Sequence, residues 1–184
     1  MPDNLKLMTT LYEFSLFELP TVFLDLQRIY YKKKCLYCSK EPKDCAICLL
    51  CGQTMCYVDD AMDQYCIVFD FENVQDQGEG VLSYHTRVHE GSCGIFLHLS
   101  TGNIVMIQNG SSAQQDSPYR NKYGEVVNPR DKRWHSFKID KLGGGNEALN
   151  ALKKLYMDFK IGNMILSVRN NPDSPFDIFE RNDL

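Results

Sequence analysis

The side chains best suited to chemistry in this chain are the thiols and imidazoles crowded between Cys35 and Cys93. Cys48-Leu-Leu-Cys51-Gly52 has the form of a zinc knuckle. Two thiolates at that spacing on a tight turn present both sulfurs to one tetrahedral ion, and the glycine lets the backbone fold back and aim N–H groups at sulfur. His85 and His89 share one face of a helical turn and complete the tetrahedron. Cys48, Cys51, His85 and His89 are therefore the first expected metal ligands. A competing reading leaves both histidines on the surface near Arg87 and Glu90, with Cys93 as a rival ligand.

Cys35-Leu-Tyr-Cys38 is a second knuckle, and Cys35, Cys38, Cys56 and Cys66 supply a second site or alternative ligands. The overlapping Cys45-Ala-Ile-Cys48 leaves the pairing open. In one arrangement Cys35, Cys38, Cys48 and Cys51 form a ribbon-like site, and Cys56, Cys66, His85 and His89 form another. Cys66 and Cys93, set among apolar neighbours, also read as buried small hydrophobes. One zinc ion is expected, or two.

The metal expected here is structural. Four thiolate or imidazole ligands close a site, and no His-Glu-x-x-His arrangement is present. A cross-braced RING pair fails on ligand order, since no histidine lies inside the cysteine cluster. His98 and His135 stand alone, and no nucleophile elbow, phosphate loop or dinucleotide fingerprint occurs. No catalytic and no cofactor-binding residue other than the metal ligands is expected.

The bulk properties agree with a metal-bound globular domain. Seven of the eight cysteines fall between residues 35 and 66, closer than a disulfide framework favours. A net charge of −4 over 184 residues argues against a partner held through phosphates, so no nucleic acid is expected. No apolar run reaches the ~20 residues of a membrane span, and no secretory leader is visible. The expected setting is cytoplasmic or nuclear, with no membrane partner.

These ligands need elements to position them, and the pattern predicts an α+β domain with a small antiparallel sheet flanked by helices. Residues 5–31 read as helical, most clearly 20–31, where Val22, Phe23, Leu26, Ile29 and Tyr30 recur near the 3.6 period after Leu19-Pro20-Thr21. Residues 32–66 follow neither period and read as loop held by metal. Cys66–Glu72 reads as a strand, followed by a polar loop over Gln75–Gly80. Gly94–Ser100 and Asn103–Gln108 flank Thr101-Gly102 as a hairpin, 94–108. The stretch 109–145 reads as a long loop packed by Tyr119, Tyr123 and Trp134. A helix over 146–160 puts Leu149, Leu152, Leu155, Tyr156 and Phe159 on one face, with Asn146 as its N-cap. Met164–Val168 forms a further short helix or strand. The expected plan is a single domain over 1–184, comprising a helical part 5–31, a zinc-binding part 32–93, a part 94–169 and a polar tail 170–184.

Pro42-Lys-Asp-Cys-Ala-Ile-Cys-Leu-Leu-Cys-Gly52 resembles the C-terminal cysteine-rich zinc domain of the UBR-type N-recognins, large ubiquitin ligases of the N-degron pathway. Further segments follow in that family's order: His85–Gly94, Ile95–Leu99 with Ile104–Gln108, then Ser117-Pro-Tyr119 with Tyr123-Gly-Glu125. The 146–159 helix stands where the family places its last one. The resemblance spans about residues 19–165. It departs at Arg120-Asn121, where the family usually has Leu-Asp, and at Arg133-Trp134, where it has Arg-Gly.

The resemblance implies a non-catalytic, zinc-stabilised scaffold and regulatory domain of an N-degron ubiquitin ligase, working in ubiquitin-dependent protein degradation by contact with the parent ligase's other domains or with a protein partner. The parent would be the ubiquitin transferase. A stand-alone zinc adaptor that binds a peptide or protein through the 109–145 stretch is the competing reading.

Overall fold

The computed structural model describes residues 14–57, 66–68, 79–127, 136–139 and 144–170. It is an α+β fold built on a five-stranded antiparallel sheet, as the patterning predicts. The strands are β1 (Cys45–Cys48), β2 (Thr54–Cys56), β5 (Cys93–His98), β6 (Ile104–Gln108) and β7 (Ser111–Gln115), in the order β2-β1-β5-β6-β7. A two-stranded ribbon of β3 (Ile67–Val68) and β4 (Glu79–Gly80) lies outside this sheet. The helices are α1 (Phe23–Tyr30), α2 (Val81–Thr86), α3 (Gly144–Met157) and α4 (Ile161–Asn170).

The central strands are buried on both faces. Ile47, Ile95, Leu97, Ile104 and Met106 pack with Phe23, Leu26 and Tyr30 of α1, Leu152 of α3 and Ile161 and Ile165 of α4. The alternate residues Ala46, Cys48, Phe96, Val105 and Ile107 pack with Cys35, Cys66, Met55 and Val81 on the opposite face. The period-2 alternation of a strand thus sorts each residue into one of two cores. It also explains why residues 45–48 do not look like a strand. When both faces are covered, a strand reads as a continuous apolar run, and the predicted loop over 32–66 in fact contains β1 and β2.

The hairpin predicted over 94–108 is present as β5 and β6, with Gly94 opposite Ile107 and Leu97 opposite Ile104. Gly102 takes φ 73° in its turn, a conformation that glycine adopts without penalty. β7 was hidden in the predicted 109–145 loop because Ser111-Ser-Ala-Gln-Gln115 is polar; as an edge strand its outward side chains meet water. Beyond it Tyr119 is fully buried, stacks edge-on against Phe23 at 5.2 Å, and donates a hydrogen bond to Pro20 O at 2.8 Å. Tyr123 is exposed rather than packed; Trp134 lies outside the described residues.

α1 is shorter than predicted. Residues 14–20 are not helical, and residues 5–13 lie outside the described residues. Val22 instead bridges Lys138, and Phe23 N donates to Phe137 O at 3.0 Å, which fixes where the helix begins. Ile29, expected on the inner face, is half exposed. Of the predicted Cys66–Glu72 strand, Ile67–Val68 is seen, and 69–72 lie outside the described residues, as do 75–78 of the loop beyond. α3 starts at Gly144, so Asn146 sits inside it rather than capping it, and Met157 ends it. Phe159 takes φ 55°, while Phe159 N donates to Tyr156 O and Lys160 N to Leu155 O. Those two bonds make a Schellman stop that starts α4 two residues later and leaves Phe159 exposed, off the predicted apolar face. Met164–Val168 belongs to α4 as helix, and the tail beyond residue 170 lies outside the described residues. No described helix is long and apolar enough to cross a membrane.

Candidate metal centres

β1 ends at Cys48 and runs into the turn Leu49–Gly52, which carries Cys51, so strand end and turn together hold the first pair of thiols. Gly52 N donates to Cys48 O at 2.8 Å, and Cys48 N to Gln53 O at 2.9 Å, closing the turn across the β1–β2 hairpin. Gly52 has φ 75°, and a Cβ there would stand 2.5 Å from the Phe17 ring, so any other residue would strain the backbone and displace that ring. The backbone N–H groups of Leu50 and Cys51 point at Cys48 Sγ, as a knuckle requires.

α2 and the turn after it bring the imidazoles to this pair. His85 Nε2 lies 3.3 Å from Cys51 Sγ, His89 Nε2 3.3 Å from Cys48 Sγ, and the two Nε2 atoms are 3.2 Å apart. All four ligand atoms fall within 4.8 Å of one another, so the group could hold a metal ion. Cys48 and His85 are buried, His89 half-buried, and Cys51 exposed.

Burial, aided by the neighbouring His89, pushes His85 down to about 4, and burial also lowers His89. Both rings are therefore neutral near pH 7, the state in which imidazole ligates metal. Burial pushes the Cys48 thiol up to about 12 in the absence of an ion. A cation among these groups would supply the charge that makes a thiolate tenable there.

The second group is Cys35, Cys38, Cys56 and Cys66, whose sulfurs also lie within 4.8 Å of one another. Cys35 Sγ is 3.5 Å from Cys66 Sγ, and Cys38 Sγ is 3.7 Å from Cys56 Sγ. β2 contributes Cys56, because Cys56 pairs with Cys45 in the ladder and Leu36 N donates to Thr54 O at 2.9 Å. Cys66 comes from the residue before β3. Burial raises the Cys35 thiol, but backbone N–H groups of Cys38, Cys56 and Tyr37 outweigh it and bring the thiol down to about 7. Burial and the neighbouring Cys66 push the Cys56 thiol up, and burial and Cys35 push the Cys66 thiol up to about 12.

The structure thus separates the ribbon-like grouping of Cys35 and Cys38 with Cys48 and Cys51: each knuckle sits in its own cluster. Cys66 stands at the second group rather than apart as an apolar filler. Cys45 and Cys93 belong to the hydrophobic core with the α1 side of the sheet and to neither group. All eight cysteines are free thiols.

Two features near these groups had no signal in the sequence. Tyr37, inside the second knuckle, places its hydroxyl 2.8 Å from Nδ1 of His85 in the first group. His98, read as isolated, lies 2.6 Å from Asp44 Oδ2, stacks on Tyr57 at 3.9 Å, and receives a 3.0 Å contact at Nδ1 from Thr101 Oγ1. Asp44 also accepts from Ser100 and from Cys45 N, which ties the start of β1 to the β5–β6 turn. His135 lies outside the described residues.

A family model described as Proteolysis_6 C-terminal matches residues 2–128. The chain belongs to that family. Among known proteins, the chain is similar to E3 ubiquitin-protein ligases, such as Ubr3 of Drosophila melanogaster, 34% identical over 110 residues, which are 60% of this chain and 4% of that protein. The human UBR3 is 30% identical and the Danio rerio ubr3 28% identical over 110 residues, again 60% of this chain and 5% of each relative. The matched stretch is thus a small part of those proteins' length. The family membership agrees with the resemblance to the C-terminal domain of UBR-type ligases carried by the cysteine and hairpin motifs.

Proposed function

We propose that this chain is a zinc-stabilised, non-catalytic scaffold and regulatory domain of an N-degron ubiquitin ligase. Zinc is bound by Cys48, Cys51, His85 and His89 at one site and by Cys35, Cys38, Cys56 and Cys66 at the other. The domain acts through contacts with other parts of its ligase or with a protein partner, in the cytoplasm or nucleus, in ubiquitin-dependent degradation.

The single observation behind this reading is the pair of four-donor groups, each closed by its own knuckle, in a member of a ubiquitin-ligase family. The donor chemistry suits zinc: thiolates and neutral imidazoles in sets of four favour a tetrahedral d¹⁰ ion and leave no position open for substrate. When bound, such an ion supplies folding energy rather than reactivity.

Elemental analysis of the purified chain tests the metal. Two zinc ions per chain are expected, falling to one in a His85→Ala, His89→Ala variant; a chain free of zinc overturns the assignment. Incubation with ubiquitin-charged conjugating enzyme tests the non-catalytic role. No discharge above buffer is expected, and discharge that depends on a residue of this chain overturns it.

A further inference from the structure

Tyr37 belongs to one quartet by sequence and to the other by contact. It sits between Cys35 and Cys38 in the second knuckle, where its own backbone N–H turns toward Cys35 Sγ. Its hydroxyl reaches His85 Nδ1 at 2.8 Å, while His85 Nε2 faces Cys51 and His89. The two ring nitrogens of His85 thus have separate duties.

A metal on Nε2 leaves the imidazole proton on Nδ1, and that N–H then donates to the Tyr37 oxygen. Partners of this kind fix the tautomer and ring orientation of a metal-bound histidine. Here the partner is carried by the turn that the other metal folds. The contact is also braced: Tyr37 meets Tyr84 edge-on at 5.6 Å and His85 at 5.9 Å, so its ring is held against α2.

Resting on the two-zinc reading above, we propose that Tyr37 is a positioning residue that couples the two metal centres, so that filling the all-cysteine site prepares the cysteine–histidine site. The β1–β2 hairpin gives the coupling a second strut. Its tip carries Cys48 and Cys51, and its far end carries Cys56. Cys35, Cys38, Cys56 and Cys66 would hold the ion that orders the Cys35–Cys38 turn; the ordered turn places the Tyr37 hydroxyl, and the hydroxyl selects the His85 rotamer and tautomer suited to ligation.

The full chain, stripped of metal, is titrated with Co(II), whose absorption separates an all-thiolate site from a mixed thiolate–imidazole one. In the native chain both sites fill, and the mixed one fills more tightly once the all-thiolate one is loaded. Tyr37→Phe keeps the ring and its stacking but lacks the hydroxyl. It should weaken the mixed site about 10- to 100-fold and leave the all-thiolate site unchanged. Cys38→Ser should weaken the mixed site in the native background and by clearly less in the Tyr37→Phe background.

Two Co(II) sites with affinities unmoved by Tyr37→Phe, or an equal effect of Cys38→Ser in both backgrounds, overturns the coupling while the metal reading stands. A native chain that takes no Co(II) overturns both. If Cys38→Ser does not fold, the proton on His85 decides: NMR of the loaded chain should show a protected Nδ1–H that is lost in Tyr37→Phe, and ligation through Nδ1 overturns the proposal.

Discussion

Cys45 and Cys48 sit three residues apart on β1 and face opposite sides of the sheet, one in the helix-covered core and the other among the side chains that could hold a metal ion. A Cys-x-x-Cys spacing on a strand therefore divides its thiols, whereas the same spacing on a turn unites them. Cys45→Ala and Cys93→Ala should accordingly keep the full metal content, since both thiols lie in the hydrophobic core. Cys48→Ser should lose one ion. Loss of metal in Cys45→Ala, measured by elemental analysis, would put the ligand set in error.

The metal sites should carry much of the stability of residues 35–93. Structural zinc contributes on the order of 10 kcal/mol to the folding of small zinc modules. Cys48→Ser or Cys51→Ser should thus abolish the cooperative melt of this part of the chain, followed by hydrogen exchange of the β1–β2 and α2 amides. A double variant that retains its zinc and its full melting temperature would contradict the assignment.

Acid should weaken the fold around His85 over a defined window, in the direction that its ligand role also requires, since a metal-bound imidazole must stay neutral. The folded His85 sits near 4 because burial opposes its charge, below the ~6.5 of an unfolded histidine. Between those values the unfolded chain binds the extra proton. Stability is therefore full above about pH 6.5 and falls as pH drops toward 4, by on the order of 3 kcal/mol from this ring. His89, lowered in the same direction by burial, adds to the slope. Urea midpoints at several pH values should show the decline, and His85→Gln should make it shallower.

Gly94 stands where the sheet meets α2. A Cβ there would run into the Phe96 ring and approach Thr86 Cγ2 to 2.9 Å. Gly94→Ala should force α2 outward, cost roughly 1–3 kcal/mol, and weaken the site that holds His85, the residue before Thr86. Unchanged stability and unchanged metal affinity would show that α2 can yield without consequence.

Phe159 offers a stabilising change. It is exposed and held at φ 55°, a left-handed conformation that costs a side-chain-bearing residue roughly 1–2 kcal/mol. Phe159→Gly should raise stability by about 1 kcal/mol in chemical denaturation, with metal content unaltered. A destabilised variant would mean that the Phe159 ring contributes contacts outweighing its backbone strain.

Legibility in the sequence followed the range of the interactions. The hairpin of β5 and β6 and the body of α3 were readable because local periodicity and turn chemistry define them. The Cys48–Gly52 knuckle was readable for the same reason. How the remaining cysteines group is not written in local sequence, because it depends on the β1–β2 register that sets Cys56 opposite Cys45, a pairing no local pattern announces. β1 was concealed by having two buried faces, and β7 by having a wet one. Tyr37 and the His98–Asp44 pair join residues 48 and 54 positions apart in sequence, respectively, and nothing in their surroundings marks them.

Phe17 N donates to Leu49 O at 2.6 Å, and its ring covers the bare Cα of Gly52. Leu49 is the immediate neighbour of Cys48. The segment ahead of α1 is thus anchored to the hairpin tip that carries Cys48 and Cys51, and in mechanical terms it acts as a tether. Tension entering along it would be shared between α3, where Phe14 stacks on Tyr156 at 4.9 Å, and the knuckle, so an ion bound there would be a fastener that a pull on this side tests.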